Sequence, residues 1–295
     1  MHKIDENLVK AATGVALQMA SYDGLGVADA ETPGAILTFL DDPRFASNIN
    51  DNSFVKGVFI SKENVSLVSK NIEPIIVDDP RWFFFCVVNY LALTRERQPT
   101  QISPKASIHS TAHIADKGVI IEDDVTVEPG AKILADVTVR CGALIRAGAV
   151  LGGDGYEHKR TTKGILSVSH DGDCVIGTKA EVGVNTFVPK GFAYRPTLVG
   201  DESKLDAFVH FAHGAQCGRR CFIVAHAMIG GNVTMGDDVW VGPTASIANR
   251  IRIGDGAFIT MGSVVTRDVG DGEKVTGNFA IPHGKFLANL KRTVS

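Results

Sequence analysis

His213 and Gly231 are separated by three units of a repeat in which apolar residues recur every six positions. If three six-residue faces make one coil of the chain, these two residues lie on neighbouring coils. The imidazole and the Gly231 backbone N–H can then face the same groove. Asp206, about one repeat unit before His213, is near enough around a corner to orient the ring. A proton acceptor beside an oxyanion donor is the combination that acyl transfer requires.

The histidines also allow a second interpretation. His210, His213 and His226 could hold zinc with three imidazoles, as in the gamma-class carbonic anhydrases. His226 falls short of one full coil beyond His213, which places it on a different part of the coil and argues against a shared metal. A surface histidine beside a turn glycine is the third interpretation, and spacing alone leaves it open.

The elements that must position these residues come from a hexapeptide repeat. Its apolar positions occur without a polar exception at Val199, Leu205, Phe211, Cys217, Ile223, Ile229, Met235, Val241, Ile247, Ile253, Ile259 and Val265. A period of six fits neither a helix nor a plain strand, so each unit is a short strand plus a corner. The pattern predicts a mainly β protein, a parallel β-helix with three such units per coil and strands about 4.8 Å apart.

The repeat begins near Ile102 and slips by one position between Ile120 and Ile121. Residues 152–174 lose the six-residue register, and a second irregularity spans residues 189–198. We expect residues 152–174 to form a loop thrown out from a corner. Loops on a rigid scaffold often carry binding chemistry.

Before residue 100 the period is absent and the pattern is α/β. Asp79 as N-cap and Pro80 in the first turn predict a helix over Trp82–Leu93. The predicted strands are Ala35–Leu40, Gly57–Ser61 and Pro74–Val77, and residues 1–20 could form a further helix. We therefore expect a small α/β domain at 1–100, the β-helix at 101–278 and a short C-terminal helix at 279–295. That last helix would cover the open end of the β-helix.

Composition limits the functional class. With 295 residues, 44% hydrophobic residues and a formal charge of −3, the chain has no broad basic surface for nucleic acid. No segment is apolar for the roughly 18 residues that a membrane span needs, and we expect a cytoplasmic protein. Cys217 and Cys221, two of five cysteines, occupy inward repeat positions and are interpreted as core thiols.

Several segments together resemble the UDP-3-O-acylglucosamine N-acyltransferases of lipid A biosynthesis. The segment around His213 is LDAFVHFAHGAQCG, followed by IGG at Gly231. Other similar segments, in chain order, are GVADAETPGAILTFLDDPRF, EPIIVDDPRWFF, GGDGYEHKR and EVGVNTFVPKG. The resemblance covers roughly residues 25–290.

The resemblance implies that the β-helix is left-handed and that the chain is a homotrimer with active sites between subunits. It implies that His213 is the general base, Asp206 its orienting carboxylate and the Gly231 N–H the oxyanion donor. No cofactor would be permanently bound, because an acyl-carrier-protein or acyl-CoA thioester serves as co-substrate. The acceptor would be the amine of a UDP-linked amino sugar.

The resemblance also implies substrate contacts outside the catalytic segment. Phe39 and Phe45 would flank a uracil ring, and Asp154, Gly155 and Tyr156 would wall the donor groove. Asp42 stands where the family has an asparagine that bonds the base, so a carboxylate that only accepts replaces an amide. Arg250 stands in place of a second histidine and could bind a phosphate.

Two alternatives keep the same fold. The donor could be acetyl-CoA and the acceptor a nucleotide deoxyamino sugar of a surface polysaccharide. The protein could instead be a non-catalytic relative that binds a nucleotide sugar. The acyl chain length and the identity of the sugar are open at this stage.

Overall fold

The structure is a computed structural model that describes residues 3–30, 34–277 and 282–294. Its N-terminal part is a four-stranded parallel sheet in the order β1-β2-β3-β4, as the sequence predicts for an α/β unit. The strands are β1 (Gly24–Leu25), β2 (Ile36–Leu40), β3 (Val55–Ile60) and β4 (Glu73–Ile76). The helices are α1 (Glu6–Thr13), α2 (Ala46–Asp51) and α3 (Pro80–Thr94), with 3₁₀ turns at Pro43–Phe45 and Lys62–Leu67.

Helix α3 begins where its capping residues predict. The Asp79 side chain accepts a hydrogen bond from the Trp82 N–H, and Pro80 occupies the first turn. The helix packs its apolar side chains against the sheet, with Phe83, Phe84 and Phe85 all buried. It is therefore held both by a cap and by burial of an aromatic surface.

Between residues 101 and 275 the chain is confirmed as a left-handed parallel β-helix. Its strands before the long insertion are β5 (Gln101–Ile102), β6 (Ser107–Ile108), β7 (His113–Ile114), β8 (Val119–Ile121), β9 (Thr126–Val127), β10 (Lys132–Ile133), β11 (Val137–Val139), β12 (Leu144–Ile145) and β13 (Val150–Leu151). A hairpin, β14 (His158–Thr161) and β15 (Gly164–Ser167), follows. The next strands are β16 (Cys174–Ile176), β17 (Glu181–Val182), β18 (Phe187–Val188), β19 (Thr197–Val199), β20 (Lys204–Leu205), β21 (His210–Phe211), β22 (Gln216–Cys217) and β23 (Phe222–Ile223). The last are β24 (Met228–Ile229), β25 (Thr234–Met235), β26 (Trp240–Val241), β27 (Ser246–Ile247), β28 (Arg252–Ile253), β29 (Phe258–Ile259), β30 (Val264–Val265) and β31 (Lys274–Val275).

These strands form three parallel sheets, one for each face of the prism. Sheet I contains β7, β10, β13, β18, β21, β24, β27 and β30, and sheet II contains β5, β8, β11, β16, β19, β22, β25 and β28. Sheet III contains β6, β9, β12, β17, β20, β23, β26, β29 and β31. Residues three repeat units apart pair between coils, for example Phe211 with Ile229 and Ile229 with Ile247. The predicted coil length is confirmed.

The inward positions form one continuous core. All twelve apolar repeat positions from Val199 to Val265 are buried, and so are the small residues that follow them by four places, including Ala215 and Ala227. Cys217 and Cys221 are buried free thiols, as the repeat predicts. Removal of so much apolar surface from water is the main source of stability for this fold.

The slip at residue 120 comes from the turn before β8, because four residues separate β7 from β8 whereas three separate β10 from the equally long β11. In β8, Val119 and Ile121 are buried, whereas Ile120 is 44% exposed, because side chains alternate across a pleated strand. The prediction that Ile120 is an inward position is therefore wrong. Ile121 occupies that position.

Both irregularities are insertions that leave the register intact. Ile133 pairs with Leu151 one coil later in the usual way. Leu151 pairs with Val188, although the chain between them is about twice as long as a coil, so the excess is a long insertion. Phe187 then pairs with His210, again across more than one coil of chain, which marks a second and shorter insertion. The long insertion includes the hairpin β14–β15, an element that the sequence analysis treated as plain loop.

The C-terminal helix α4 (His283–Val294) is present. All side chains described in it are exposed, including Leu287 at 42% and Leu290 at 45%. That this helix covers the open end of the prism stays a prediction. No helix among residues 3–30, 34–277 and 282–294 is long and apolar enough to cross a membrane.

Candidate functional site

One corner of the β-helix collects most of the candidate residues. We call it the site corner: the turns that leave a strand of sheet I and enter sheet II. It contains both insertions, residues 152–173 and 189–196, and the turns between β21 and β22, β24 and β25, and β27 and β28. His213, Gly231 and Arg250 lie in those three turns. Because neighbouring coils stack in register, the site corner aligns these residues along one edge of the prism.

His213 is held beside the long insertion. Its Nε2 lies 3.1 Å from the Glu157 carboxylate, and both side chains are mostly buried, at 12% and 16% exposure. Lys159 also pairs with this carboxylate. Burial opposes ionisation of Glu157, but the hydrogen bond from His213 and the contact with Lys159 outweigh it and lower the pKa of this carboxyl to about 2. Glu157 is therefore a carboxylate at neutral pH.

A second histidine packs against the first. His170 is fully buried and stacks on Phe192, with ring centroids 4.6 Å apart. Its ring meets the His213 ring edge-on at 5.2 Å. Neither His170 nitrogen has a hydrogen-bond partner among the described residues. Burial, together with the neighbouring His213, lowers the pKa of His170 to about 4, so the ring is neutral at pH 7.

The structure brings Gly231 to His213, as their separation by one coil predicts. A side chain added at Gly231 would place its Cβ 2.7 Å from His213 Nε2. The Gly231 N–H, however, donates to the Asn249 side chain at 3.1 Å. For this N–H to stabilise an oxyanion, the Asn249 oxygen must be displaced by the substrate.

Asp206 is not near His213 within the chain. It lies in the turn between β20 and β21, at the corner from sheet III to sheet I. Its carboxylate accepts hydrogen bonds from the Ala207 N–H at 2.7 Å and the Ala225 N–H at 3.2 Å. The prediction that Asp206 orients the imidazole is wrong for one chain, because the strand β21 separates the two residues and places them at different corners. Glu157 occupies that position instead.

The predicted nucleotide contacts share one cavity. Phe39, Phe45 and Arg250 line a cavity of about 400 Å³. The remaining lining residues include Val27, Ala28, Asp41, Arg81, His158, Lys159 and Arg160. Phe39 also packs against the Phe84 ring at 4.8 Å. An apolar wall beside several cations suits a planar base with an attached phosphate group.

Asp42 is not among the residues that line this cavity. Its carboxylate caps the 3₁₀ turn through the Arg44 N–H at 3.0 Å and pairs with the Arg44 side chain. Those bonds hold the pKa of Asp42 at about 2. Asp41, which binds Arg81 at 2.5 Å, lines the cavity in its place.

The three residues predicted to wall the donor groove have different surroundings in the structure. Gly155 lies against His213, since a Cβ there would be 2.9 Å from His213 Nδ1. Asp154 is close by, 3.6 Å from Lys190. Tyr156 is 84% exposed and contacts His158 edge-on at 4.7 Å. It does not line the cavity of Phe39 and Phe45, and its place in a donor groove between subunits stays a prediction.

The other histidines of the repeat lie elsewhere. His226 is in the turn between β23 and β24 and stacks on Phe208 at 5.0 Å, while His210 is on β21. In the described parts of the chain, no group of three or more His, Cys, Asp or Glu residues could hold a metal ion.

Comparisons with known proteins agree with the repeat and with the segments around it. A family model, bacterial transferase hexapeptide (six repeats), matches residues 232–267. A UDP-3-O-acylglucosamine N-acyltransferase of Methylobacterium sp. (strain 4-46) is 35% identical over 152 residues, 50% of this chain and 43% of the relative. The same enzyme of Campylobacter lari is 26% identical over 267 residues, 83% of this chain and 82% of the relative.

The predicted resemblance to UDP-3-O-acylglucosamine N-acyltransferases is confirmed. The chain nevertheless spans less than half the length of the Methylobacterium relative that it matches. Among solved structures, LpxA from Acinetobacter baumannii is 22% identical, with a TM-score of 0.39, and the match covers 66% of this chain and 76% of that chain.

Sequence reasoning missed Glu157, His170 and Phe192. Glu157 and His170 lie in the long insertion and Phe192 in the short one. The six-residue spacing predicts positions only for residues that belong to the repeat, so it could not place these three residues beside His213. The signal that was available is that both insertions fall at the same corner as His213.

Proposed function

We propose that this protein is an acyltransferase. It moves an acyl group from a phosphopantetheine thioester, on acyl carrier protein or CoA, to the amine of a UDP-linked amino sugar, as in lipid A biosynthesis. The resemblance to relatives of that name supports the substrate class. A cytoplasmic location stays a prediction.

One observation carries the proposal. Glu157 contacts His213, and the next three residues, His158, Lys159 and Arg160, line the cavity that also holds Phe45. Strand β14 therefore joins a buried histidine directly to a cavity with an apolar wall and a cationic rim. A nucleotide bound there would extend its sugar along β14 toward His213.

The proposed chemistry uses groups already in place. His213 accepts a proton from the acceptor amine as the nitrogen attacks the thioester carbon. The Gly231 N–H stabilises the oxyanion once the Asn249 oxygen has been displaced, an effect of about 3 kcal/mol for one well-placed donor. Arg250 and Arg81, on opposite elements of the cavity lining, neutralise the diphosphate.

We also propose that the chain works as a homotrimer. Phe222, Trp240 and Phe258 form an aromatic stripe along sheet III, with ring centroids 5.9 and 5.6 Å apart. Phe222 is 48% exposed and Phe258 38% exposed. Rows of exposed apolar side chains mark protein contacts, and a second copy of this chain is the occupant that the resemblance supports.

The test is free-thiol release by the wild type and by His213→Ala. UDP-linked amino sugars serve as acceptors, and acyl-carrier-protein, hydroxyacyl-CoA and acetyl-CoA thioesters as donors. We expect release with at least one long-chain donor and a loss on the order of 10²–10⁴ in kcat for the variant. Turnover that survives His213→Ala contradicts the catalytic assignment. Strict preference for acetyl-CoA contradicts the lipid A assignment and favours the polysaccharide alternative.

A further inference from the structure

We propose that Arg195 is a positioning residue that sets the distance between His213 and Gly231. Its guanidinium joins the turn that carries His213 to the turn that carries Gly231. This inference rests on the proposed acyl transfer and deepens it, because the base and the oxyanion donor must act on one and the same tetrahedral intermediate. Arg195 stays protonated and acts through these two turns, not as a proton donor or acceptor.

The short insertion, residues 189–196, gives Arg195 a fixed backbone. Phe192 and Arg195 exchange two backbone hydrogen bonds across the tight turn between them, at 3.1 and 2.9 Å. The Ala193 N–H in that turn donates to the Asp171 carboxylate at 3.0 Å, and the Phe192 side chain is buried. The loop is therefore held by hydrogen bonds and by burial, and it directs the Arg195 side chain along the site corner.

The guanidinium first meets the turn of His213. Arg195 Nε donates to the Gly214 carbonyl at 2.7 Å. The Gly214 N–H donates to the Thr197 hydroxyl at 2.8 Å, and Thr197 is fully buried. Both backbone groups of the residue next to His213 are thus bonded to the segment where the short insertion ends. This segment fixes the backbone from which the imidazole projects.

The same guanidinium reaches the turn of Gly231, one coil further along. Arg195 Nη2 donates to the Thr234 hydroxyl at 2.7 Å and to the carbonyls of Asn232 and Val233 at 3.4 Å. These three acceptors directly follow Gly231 in the chain. Because an arginine carries its N–H donors in a planar fork, one side chain can hold both turns in a single geometry.

The two turns also contact each other beside this bridge. The Asn232 N–H donates to the His213 carbonyl at 3.0 Å. A Cβ at Gly231 would lie 2.7 Å from His213 Nε2, so the imidazole and the Gly231 backbone are close neighbours. In the proposed reaction His213 takes the proton of the attacking amine, while the Gly231 N–H binds the oxygen of the attacked carbonyl. A displacement of about 1 Å in either group can cost on the order of 10²-fold in rate.

A second arginine bridges coils away from the site corner and provides the matched control. Arg146 Nε donates to Glu181 at 2.7 Å, and its Nη1 donates to Glu128 at 3.0 Å. Arg146 lies in the turn between β12 and β13, at the corner from sheet III to sheet I. Its removal therefore deletes a bridge between coils without touching the turns of His213 and Gly231.

Steady-state kinetics of the full-length protein test the role of Arg195. Arg195→Lys keeps the charge, but a single nitrogen cannot occupy the positions of both Nε and Nη2. We expect Arg195→Lys and Arg195→Ala to lower kcat about 10- to 100-fold, with smaller changes in KM for either substrate. Arg146→Ala should keep the wild-type kcat. A wild-type kcat in Arg195→Ala, or an equal loss of kcat in Arg146→Ala, overturns the inference.

Amide hydrogen exchange tests the bridge without any turnover. The Asn232 N–H, which donates to the His213 carbonyl, reports whether the two turns stay together. In folded Arg195→Lys, peptides that contain Asn232 should exchange this amide at least about 10-fold faster than in the wild type, as seen by mass spectrometry. Arg146→Ala should leave its exchange unchanged. Equally slow exchange at Asn232 in Arg195→Lys and the wild type overturns the inference.

The two proposals fail in different ways. If His213→Ala retains turnover, acyl transfer by this histidine is contradicted, whatever the Arg195 variants do. If turnover needs His213 but Arg195→Ala keeps the wild-type kcat, only the role of Arg195 is contradicted.

Discussion

At the residue scale, Gly155 packs directly against the proposed base. Gly155 has an ordinary backbone conformation, so alanine is compatible with its φ angle, but the added Cβ would lie 2.9 Å from His213 Nδ1. We expect Gly155→Ala to lower kcat at least about 10-fold, because the His213 ring must shift to admit the Cβ. Gly24→Ala, where a Cβ would meet nothing within 4 Å, is the control for steady-state kinetics and thermal unfolding. Equal kcat values in the two variants would contradict a role for this contact.

Variants of the residues that line the nucleotide cavity should change KM more than kcat. Phe45 is 42% exposed at the cavity wall, and Arg250 projects from the site corner into the same space. Phe45→Ala and Arg250→Ala should each raise KM for the nucleotide sugar about 10-fold, corresponding to about 1.4 kcal/mol of lost binding, and change kcat less. Arg219→Ala, which removes an exposed arginine paired with Asp237, is the control for both. Unchanged KM values would place the nucleotide elsewhere.

How far the site could be predicted depends on whether a residue belongs to the repeat. His213 and Gly231 meet as predicted because their separation equals one coil. Asp206 does not reach His213 within one chain, because its turn lies at another corner of the prism. A contact between subunits stays a prediction. Phe39 and Phe45 line one cavity, as two residues that flank a base should, and Arg250 lines it as well, which the resemblance did not imply. Glu157 could not be predicted, because an inserted segment outside the repeat has no fixed register.

At the element scale, the long insertion is fixed to the rest of the molecule at several points. Asn89 on α3 donates to the Ser167 carbonyl at 2.9 Å and accepts from the Ser169 N–H at 2.8 Å. The Asp79 carboxylate accepts from the Thr162 hydroxyl at 2.8 Å. The insertion is therefore clamped between α3 and the site corner, and this clamp holds Glu157 and His170 against His213.

The burial of His170 makes the stability of this clamp depend on pH. The pKa of His170 is lowered from 6.5 to about 4 in the folded state, mainly by burial. The unfolded chain therefore binds more protons between these values, and the free energy of unfolding falls as pH decreases from 6.5 to 4. The loss should reach up to about 3 kcal/mol and stop below pH 4.

His170→Phe tests this dependence by urea denaturation at a series of pH values. The variant keeps an aromatic ring against Phe192 and removes two nitrogens that have no hydrogen-bond partner among the described residues, one of them 3.8 Å from Asp154. Its curve of stability against pH should be flatter between pH 6.5 and 4. A packing change alone would shift the curve without altering its slope, so parallel curves would contradict the expected titration.

At the scale of the whole molecule, the aromatic stripe on sheet III predicts the oligomeric state. Light scattering on the 31.4 kDa chain should give a mass three times that of the monomer. Phe222→Glu should dissociate the trimer, because it places a charge among Phe222, Trp240 and their neighbours. Phe54→Glu, at a phenylalanine that is 38% exposed in the N-terminal part, should leave the mass unchanged. A monomeric wild type, or a trimer that tolerates Phe222→Glu, would contradict this use of the stripe.

The overall architecture was predictable because one simple period governs most of the chain. Six-residue spacing indicated the faces, and Asp79 with Pro80 indicated the start of α3. The orientation of α4 was not predictable in the same way, because an amphipathic helix only indicates that it has an apolar face. Its partner depends on surfaces that the pattern does not describe, and in the structure Leu287 and Leu290 stay exposed.

The intact register across the insertions also bears on how such a protein can change over time. Leu151 pairs with Val188 as though the long insertion were absent. Coils on either side carry the fold, while the insertion carries contacts to the proposed substrate. A lineage could therefore exchange the hairpin for one of another length or composition, and acquire a new acceptor, without rebuilding the prism. Because the coils maintain the fold and the insertion contacts the proposed substrate, acceptor specificity can change at this corner while the fold is kept.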